Sequence, residues 1–418
     1  MLKRIKIKGY KSFKDLDLVL KPLTVIFGPN ASGKSNFLDA IYLLSRAVQS
    51  KNLKIAFEGH RGLPLESFFY GNISYEKLLK KNKLEFTFEV DVEISSSIKK
   101  QIEEIVLAKR RGIETNGASK EIITESLLRY WLNIQALPET GYLRVMDERL
   151  CAIKRNGEEK KRTPFIEKIG NRLHLRMEGQ AHPTYHDIGL DHTIVSQALY
   201  EPHYPHISAF RMELSNWQTY YLEPKVLMRE EVPLAEIESI GPRGENLPAF
   251  LNTLLDKHKK DFESLNLTLN SILAASIKIS HQRDGRIALQ LSENGKWFSA
   301  RLISEGTLRL LGLLSAIHPR NPATLIAFEE PENGLHPTRL KIISDILKNT
   351  VGAHGKQIIV TTHSPILPGN FEGMNLYVCK KENHKSTILP FKSYGPLFRR
   401  TDIEHALEDR ILRGDFGG

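Results

Sequence analysis

Apolar and polar residues alternate from the first residues of the chain. Lys3, Ile5, Lys6, Ile7 and Lys8 set the rhythm and Phe13 to Leu20 continue it, which predicts two β-strands around a turn at Gly9. Leu23-Thr24-Val25-Ile26-Phe27 then runs apolar without a break and stops at Gly28, as a buried strand feeding a turn does. From Lys34 the period lengthens: Phe37, Leu38, Ile41, Leu44 and Val48 share one helical face. The first fifty residues therefore read strand, glycine-bearing loop, helix.

Residues 51–74 read as a loop-rich connector and Leu84 to Ile94 as an alternating strand. Residues 97–129 are basic and helical in tendency and would stand as a small insertion. Strands return at Tyr130 to Gln135 and Tyr142 to Val145. Residues 153–168 read as a charged hairpin tip, and 173–206, rich in His and Pro, as irregular chain. After Trp217 a linker around Ile240 to Gly244 precedes helical patterning from Leu247 to Leu255 and on to Ile272. Ile277 to Ser280 and Arg286 to Leu291 flank Asp284-Gly285, a two-residue hairpin signal, and Glu293-Asn294-Gly295 marks the next turn. An apolar helix (Leu308 to Ile317), a buried strand (Thr324 to Phe328), a helix (Arg339 to Lys348) and another buried strand (Gln357 to Thr361) follow. Asn375 to Lys380 and Ser386 to Pro390 suggest a closing hairpin, and Ile403 to Leu412 a terminal helix. There is no internal repeat and no long heptad run.

The 418 residues suit two to four domains or lobes, and 41% hydrophobic with 26% charged residues is a globular balance, too apolar for disorder. A net charge of +10 permits a polyanionic partner without demonstrating one. The basic stretches Lys77–Lys83, Lys109–Arg111, Lys154–Arg162 and Lys257–Lys260 fit either a solvated surface or contact with nucleic-acid phosphates. Cys151 and Cys379 form no zinc-type spacing and no disulfide framework, which fits a reducing cytosol. The N-terminus has no signal-peptide core, and the most apolar stretch, broken by Arg309, is too short for a bilayer, so a cytoplasmic protein without a membrane role is expected. His174, His182, His186, His192, His203 and His206 crowd one segment, at spacings that match no zinc-ligand pattern.

Four short segments carry the chemistry. Gly28-Pro29-Asn30-Ala31-Ser32-Gly33-Lys34-Ser35 fits the phosphate-loop pattern and lies between a buried strand and a helix, as that pattern requires. Backbone N–H groups at the helix start cradle phosphates, and Asn36 continues the contact surface. Lys34 reaches the β- and γ-phosphates, and the Ser35 hydroxyl faces Mg2+. Leu325 to Pro337 (LIAFEEPENGLHP) ends an apolar strand in two carboxylates: Glu329 is assigned to the metal and Glu330 to orienting or deprotonating the attacking water. Thr361 to Pro365 (TTHSP) puts His363 at a strand end, where it can contact the γ-phosphate. Ser304-Glu305-Gly306-Thr307 opens the helix 308–317, with Ser304 either capping it or helping to form an anion site.

In this order the four segments resemble the ABC-type ATPase heads of the RecF, SMC and OLD-like group. The opening IKGYKSFKDLDLVLKPLTVIFGPNASGKSN, EEPENGLHP and TTHSP carry the resemblance. Trp217 to Tyr221, Gly244 to Leu247 and the SEGT segment look like stand-alone bacterial RecF/OLD-like AAA ATPases of antiphage defence that lack a TOPRIM domain. The likeness covers about residues 1–74 and 205–390. It implies an α/β P-loop NTPase fold: a mixed-sheet RecA-like lobe plus an antiparallel β lobe carrying an inserted α/β arm. The expected division is 1–74 (ATPase lobe with the phosphate loop), 75–215 (β lobe and arm), 216–290 (helical segment) and 291–418 (C-terminal ATPase lobe). It also implies ATP and Mg2+ as cofactors, and a homodimer or higher homo-oligomer in which Ser304, Glu305, Gly306 and Thr307 of one copy complete the other's pocket. The implied role is sensor or regulator of a separately encoded nuclease or toxin in antiphage defence, with a RecF-like ATP-dependent DNA-binding protein as the alternative. Ala31 stands where the group usually has Gly, Glu329 where transporters have Asp, and Gln218 is a candidate for the glutamine of the Q-loop.

Overall fold

The computed structural model describes residues 1–110, 121–180, 182–293, 295–364 and 366–394. The chain opens with the hairpin β1 (Leu2–Tyr10) and β2 (Phe13–Val19), whose turn is Lys11-Ser12 rather than Gly9, because Tyr10 still pairs with Phe13. β3 (Leu23–Phe27) leads into α1 (Lys34–Ala47). A short helix, α2 (Leu53–Ala56), lies in the connector and a second, α3 (Tyr75–Leu79), directly follows it. Next come β4 (Leu84–Glu93), α4 (Ser96–Arg110), β5 (Leu127–Leu137), β6 (Tyr142–Ala152), β7 (Ile166–Ile169), β8 (Arg172–Leu175), β9 (Thr184–Asp187) and α5 (Pro205–Ser215). The second half holds β10 (Trp217–Tyr220), β11 (Val232–Pro233), α6 (Leu247–Lys257), α7 (Lys259–Leu273), β12 (Ala275–His281), β13 (Arg286–Glu293) and β14 (Lys296–Ser299). α8 (Glu305–Ala316), β15 (Leu325–Glu329), α9 (Leu340–His354), β16 (Gln357–Thr362), β17 (Leu376–Glu382) and β18 (Lys385–Pro390) complete it.

The strands build three sheets. An eight-stranded antiparallel sheet runs β2-β1-β4-β5-β6-β7-β8-β9. A six-stranded sheet runs β10-β15-β16-β3-β17-β18, parallel except for β18. A small antiparallel sheet joins β11, β12 and β14 to β13. β3, β15 and β16 are buried along their whole length, which is why they read as unbroken apolar runs rather than alternating ones. Their alternate residues feed two cores. Ile26, Leu325, Ala327 and Ile359 pack with α1 and the antiparallel lobe. Val25, Phe27, Ile326, Phe328, Ile358 and Val360 pack with α6, α8 and α9.

Several sequence expectations are corrected. Residues 173–206 are not irregular throughout: β8 and β9 close the antiparallel sheet there. Four-residue strands with few apolar positions give little periodic signal. β6 extends well beyond Val145, its partner strand β5 supplying the pairing that its charged residues obscure. The Asp284-Gly285 hairpin has a three-residue loop, Arg283 to Gly285, since Gln282 N–H bonds the Arg286 carbonyl at 2.8 Å. Trp217 to Tyr220 is an edge strand of the central sheet, pairing in parallel with β15. The expected helix at Ile403 to Leu412 lies outside the described residues. Among the described residues no helix is long and apolar enough to cross a membrane.

Candidate functional site

The register of the central sheet brings the chemistry to one edge. Glu329 pairs with Thr361, and Thr362 pairs with Phe27, so the ends of β15, β16 and β3 stand side by side at their C-terminal edge. Open α/β sheets bind ligands at that edge. The phosphate loop leaves β3 there and α1 starts at Lys34, with Gly33 before it at φ 111°. A Cβ at Gly33 would collide with the Ser386 hydroxyl of the closing hairpin. Ser386 and Asn36 both bond the Ser12 hydroxyl at 2.7 Å, which locks the hairpin and the β1–β2 turn onto the loop.

Ala31 has φ 60°, the left-handed region that its Cβ disfavours by about 1–2 kcal/mol. Ala31→Gly is therefore expected to stabilise the fold. The gain is about 0.5–1 kcal/mol, because glycine also gains freedom in the unfolded chain, and a melting curve reads it directly.

Lys34 is buried, and its Nζ donates to the Gly28 and Pro29 carbonyls, both at 2.8 Å. Burial pulls its pKa below the usual lysine range, against the attraction of Glu330, Glu329 and Glu332. The Ser35 hydroxyl donates to Glu329 Oε1 at 2.5 Å. A hydroxyl and a carboxylate converging at the phosphate loop are the hard oxygen donors that Mg2+ takes, with the remaining positions left to phosphate and water. The donor set fits that ion. Glu330 has φ 48°, a left-handed turn directly after the strand, fixed by its N–H to the Thr361 carbonyl at 2.8 Å. Its Oε2 accepts from Asn333 Nδ2 at 2.7 Å, and its Oε1 lies 2.7 Å from His363 Nδ1. The structure thus brings Lys34, Ser35, Glu329, Glu330 and His363 to one sheet edge, while Pro365 lies outside the described residues.

Ser304 caps α8: its Oγ accepts from Thr307 N–H at 3.2 Å and bonds Thr307 Oγ1 at 2.8 Å. Gly306 lies so near the loop after Glu330 that a Cβ would stand 2.6 Å from the Gly334 carbonyl oxygen. α8 and the loop after Glu330 are thereby in contact within one chain. Gln218 does not join the site. It pairs with Ile326, three residues before Glu329, about 10 Å below the edge at a strand rise near 3.3 Å, and it bonds Tyr220 and Asn321.

Sequence reasoning missed four contributors. Arg61 grips both oxygens of Glu329, with Nη1 to Oε1 at 3.0 Å, and its Nε lies 3.2 Å from Asp39 Oδ1. Asp39 also accepts from Lys11 Nζ at 2.6 Å. Glu332 is buried and accepts from the Thr362 hydroxyl, and Thr362 Oγ1 in turn accepts from Ser364 N–H at 2.9 Å. Burial raises the Glu332 pKa, and the side chain steadies the loop that carries His363. The third glutamate of EEPE was the available signal for Glu332. Nothing local marked Arg61 as the partner of a residue 268 positions away. Lys11, Ser12, Asn36, Arg61, Tyr70 and His384 line a cavity of about 270 Å³ beside the first turn of α1.

Two of the clustered histidines are engaged away from the site. His206 is buried between Glu178 and the Glu125 backbone, and His192 bonds Asp191. No group of three or more His, Cys, Asp or Glu among the described residues is arranged to hold a metal. In the basic stretches, Lys154 pairs with Glu158, Lys160 with Glu125, Arg162 with Glu178 and Lys257 with Glu236, which reduces their pull on a polyanion.

A family profile described as "AAA domain, putative AbiEii toxin, Type IV TA system" matches residues 23–184 and 200–367. A Helicobacter pylori protein named ATP/GTP phosphatase is 22% identical over 378 residues, covering 87% of this chain and 85% of that protein. The OLD nuclease of Thermus scotoductus is 50% identical over 44 residues, 10% of this chain and only 8% of the nuclease. Among solved structures, an SMC head bound to the C-winged helix domain of ScpA matches with a TM-score of 0.53 at 13% identity, covering 94% of this chain and 98% of that one. That likeness is one of fold.

Proposed function

Because the chain belongs to this AAA-domain family and is an ABC-type ATPase of the RecF, SMC and OLD kind, we propose that Lys34, Ser35, Glu329, Glu330 and His363 are its hydrolytic site. The triphosphate would lie along the phosphate loop, with the first-turn amides of α1 and Lys34 on its β- and γ-oxygens. Ser35 and Glu329 would hold Mg2+, which neutralises charge on those oxygens when bound. Glu330 takes a proton from water as the water oxygen bonds the γ-phosphorus and the bond to the β–γ bridging oxygen breaks, releasing ADP and phosphate. His363 orients Glu330 and senses the terminal phosphate. The observation that carries this reading is the 2.5 Å contact between Ser35 and Glu329 beside the 2.7 Å contact between Glu330 and His363, at the edge where the phosphate loop begins.

By this reading two copies close on ATP, each lending Ser304 to Thr307 to its partner, and hydrolysis reopens them. The cycle would regulate a separately encoded nuclease or toxin in antiphage defence. Light scattering should show a monomer becoming a dimer with a non-hydrolysable ATP analogue and Mg2+, alongside steady phosphate release from ATP. A chain that stays monomeric in the analogue overturns the dimer. ATP-dependent binding to duplex DNA that weakens steeply with salt would replace the effector role with the RecF-like one.

A further inference from the structure

Glu329 is held by a network of charged side chains. Glu329 and Asp39 carry two negative charges, and Lys11 and Arg61 carry two positive ones. Arg61 bridges the carboxylates, holding Glu329 through both terminal nitrogens and Asp39 through Nε. Lys11 fixes the far side of Asp39 at 2.6 Å and also donates to the Arg61 carbonyl at 3.0 Å. Bidentate guanidinium–carboxylate contacts are among the strongest in proteins, and this one uses the oxygens that a divalent ion would need. Two cations on one carboxylate repel each other, so a metal and Arg61 compete for Glu329.

Arg61 has somewhere else to go. Its side chain is half-exposed and shares with Asn36 the lining of the cavity beside α1, so it can turn toward a triphosphate on the neighbouring phosphate loop, which offers more acceptors than Glu329 does. Its backbone lies between Gly59 and Gly62, both in the left-handed region at φ 78° and 82°, which lets the segment rearrange. We propose that Arg61 is a built-in stand-in for the metal, a positioning residue that competes with the divalent cation for Glu329 and makes metal entry depend on the nucleotide. This inference rests on Glu329 being the metal carboxylate. The phosphates bring the negative charge that lets Arg61 leave, so metal alone binds poorly and metal with triphosphate binds well.

Mn2+ binding to the nucleotide-free chain, followed by electron paramagnetic resonance, tests this without turnover. Arg61→Gln should bind Mn2+ about tenfold more tightly than wild type, because the competitor is gone. Arg61→Lys, which cannot span both oxygens, should fall between. Asp39→Asn should bind Mn2+ more weakly than wild type, since Arg61 then leans wholly on Glu329 and Lys11 is left uncompensated. An Arg61→Gln chain that melts like wild type yet binds Mn2+ no more tightly, or not at all, overturns the competition. An Asp39→Asn chain with stronger binding overturns it too. Glu329→Gln should abolish the binding; if that variant binds Mn2+ as the wild type does, the metal assignment fails rather than the role of Arg61.

Discussion

Glu330→Gln is expected to bind ATP as wild type does and to hydrolyse it about 10²–10⁴ times more slowly, a barrier higher by roughly 3–5 kcal/mol. The substitution keeps the shape and removes the basic oxygen. Glu330 receives two contacts, from Asn333 Nδ2 and His363 Nδ1, both at 2.7 Å. A glutamine carbonyl can satisfy Asn333, and its NH2 can face His363 if the imidazole presents Nδ1 as an acceptor. The side chain therefore stays in place, and the left-handed turn at φ 48° is no harder for glutamine than for glutamate. Single-turnover phosphate release beside equilibrium binding of a fluorescent ATP analogue separates the two effects. Retained turnover would remove Glu330 as the base. A joint loss of binding and turnover would mean that the carboxylate mainly holds the loop. Because the unreacted complex should persist, the same variant is the best material for capturing the closed dimer.

What was legible in the sequence follows from how each feature is encoded. β3, β15 and β16 are covered on both faces, so burial alone writes a continuous apolar run, and the residues just past each run had to lie at one sheet edge. That logic predicted the meeting of Lys34, Glu329, Glu330 and His363 without any long-range information. Gly33 was legible from the phosphate-loop spacing alone; its packing against Ser12 and Ser386 was not. Ion pairs between distant segments leave no such trace. Arg61 sits in a connector with no period, and its partners Asp39 and Glu329 are fixed by tertiary packing. The strand of Trp217 to Tyr220 was equally hidden, because an edge strand of four residues carries too few apolar positions to set a rhythm. Gln218 shows the opposite error. Its residue type suited the Q-loop, but the parallel register with β15 holds it at the wrong end of the strand.

Lys34→Ala should abolish nucleotide binding while leaving a folded protein. In the wild type the ammonium is buried and holds the Gly28 and Pro29 carbonyls, so one side chain both shapes the loop and supplies its positive charge. Two effects on stability oppose each other. Losing two charge-assisted hydrogen bonds costs about 1.5–3 kcal/mol each at most, but removing a buried cation recovers its desolvation cost. The net change in melting temperature should be small. Binding has no such offset, because a triphosphate has no other lysine in the loop to replace the contact. Thermal shift reads both quantities in one experiment. With ATP and Mg2+ at 100 times the dissociation constant, the wild type should gain about 2.7 kcal/mol of stability, and the variant should gain nothing. A variant that melts normally and still responds to ATP would show that Gly28 to Ser35 is a structural turn, and the assignment of this sheet edge to phosphate would fall with it.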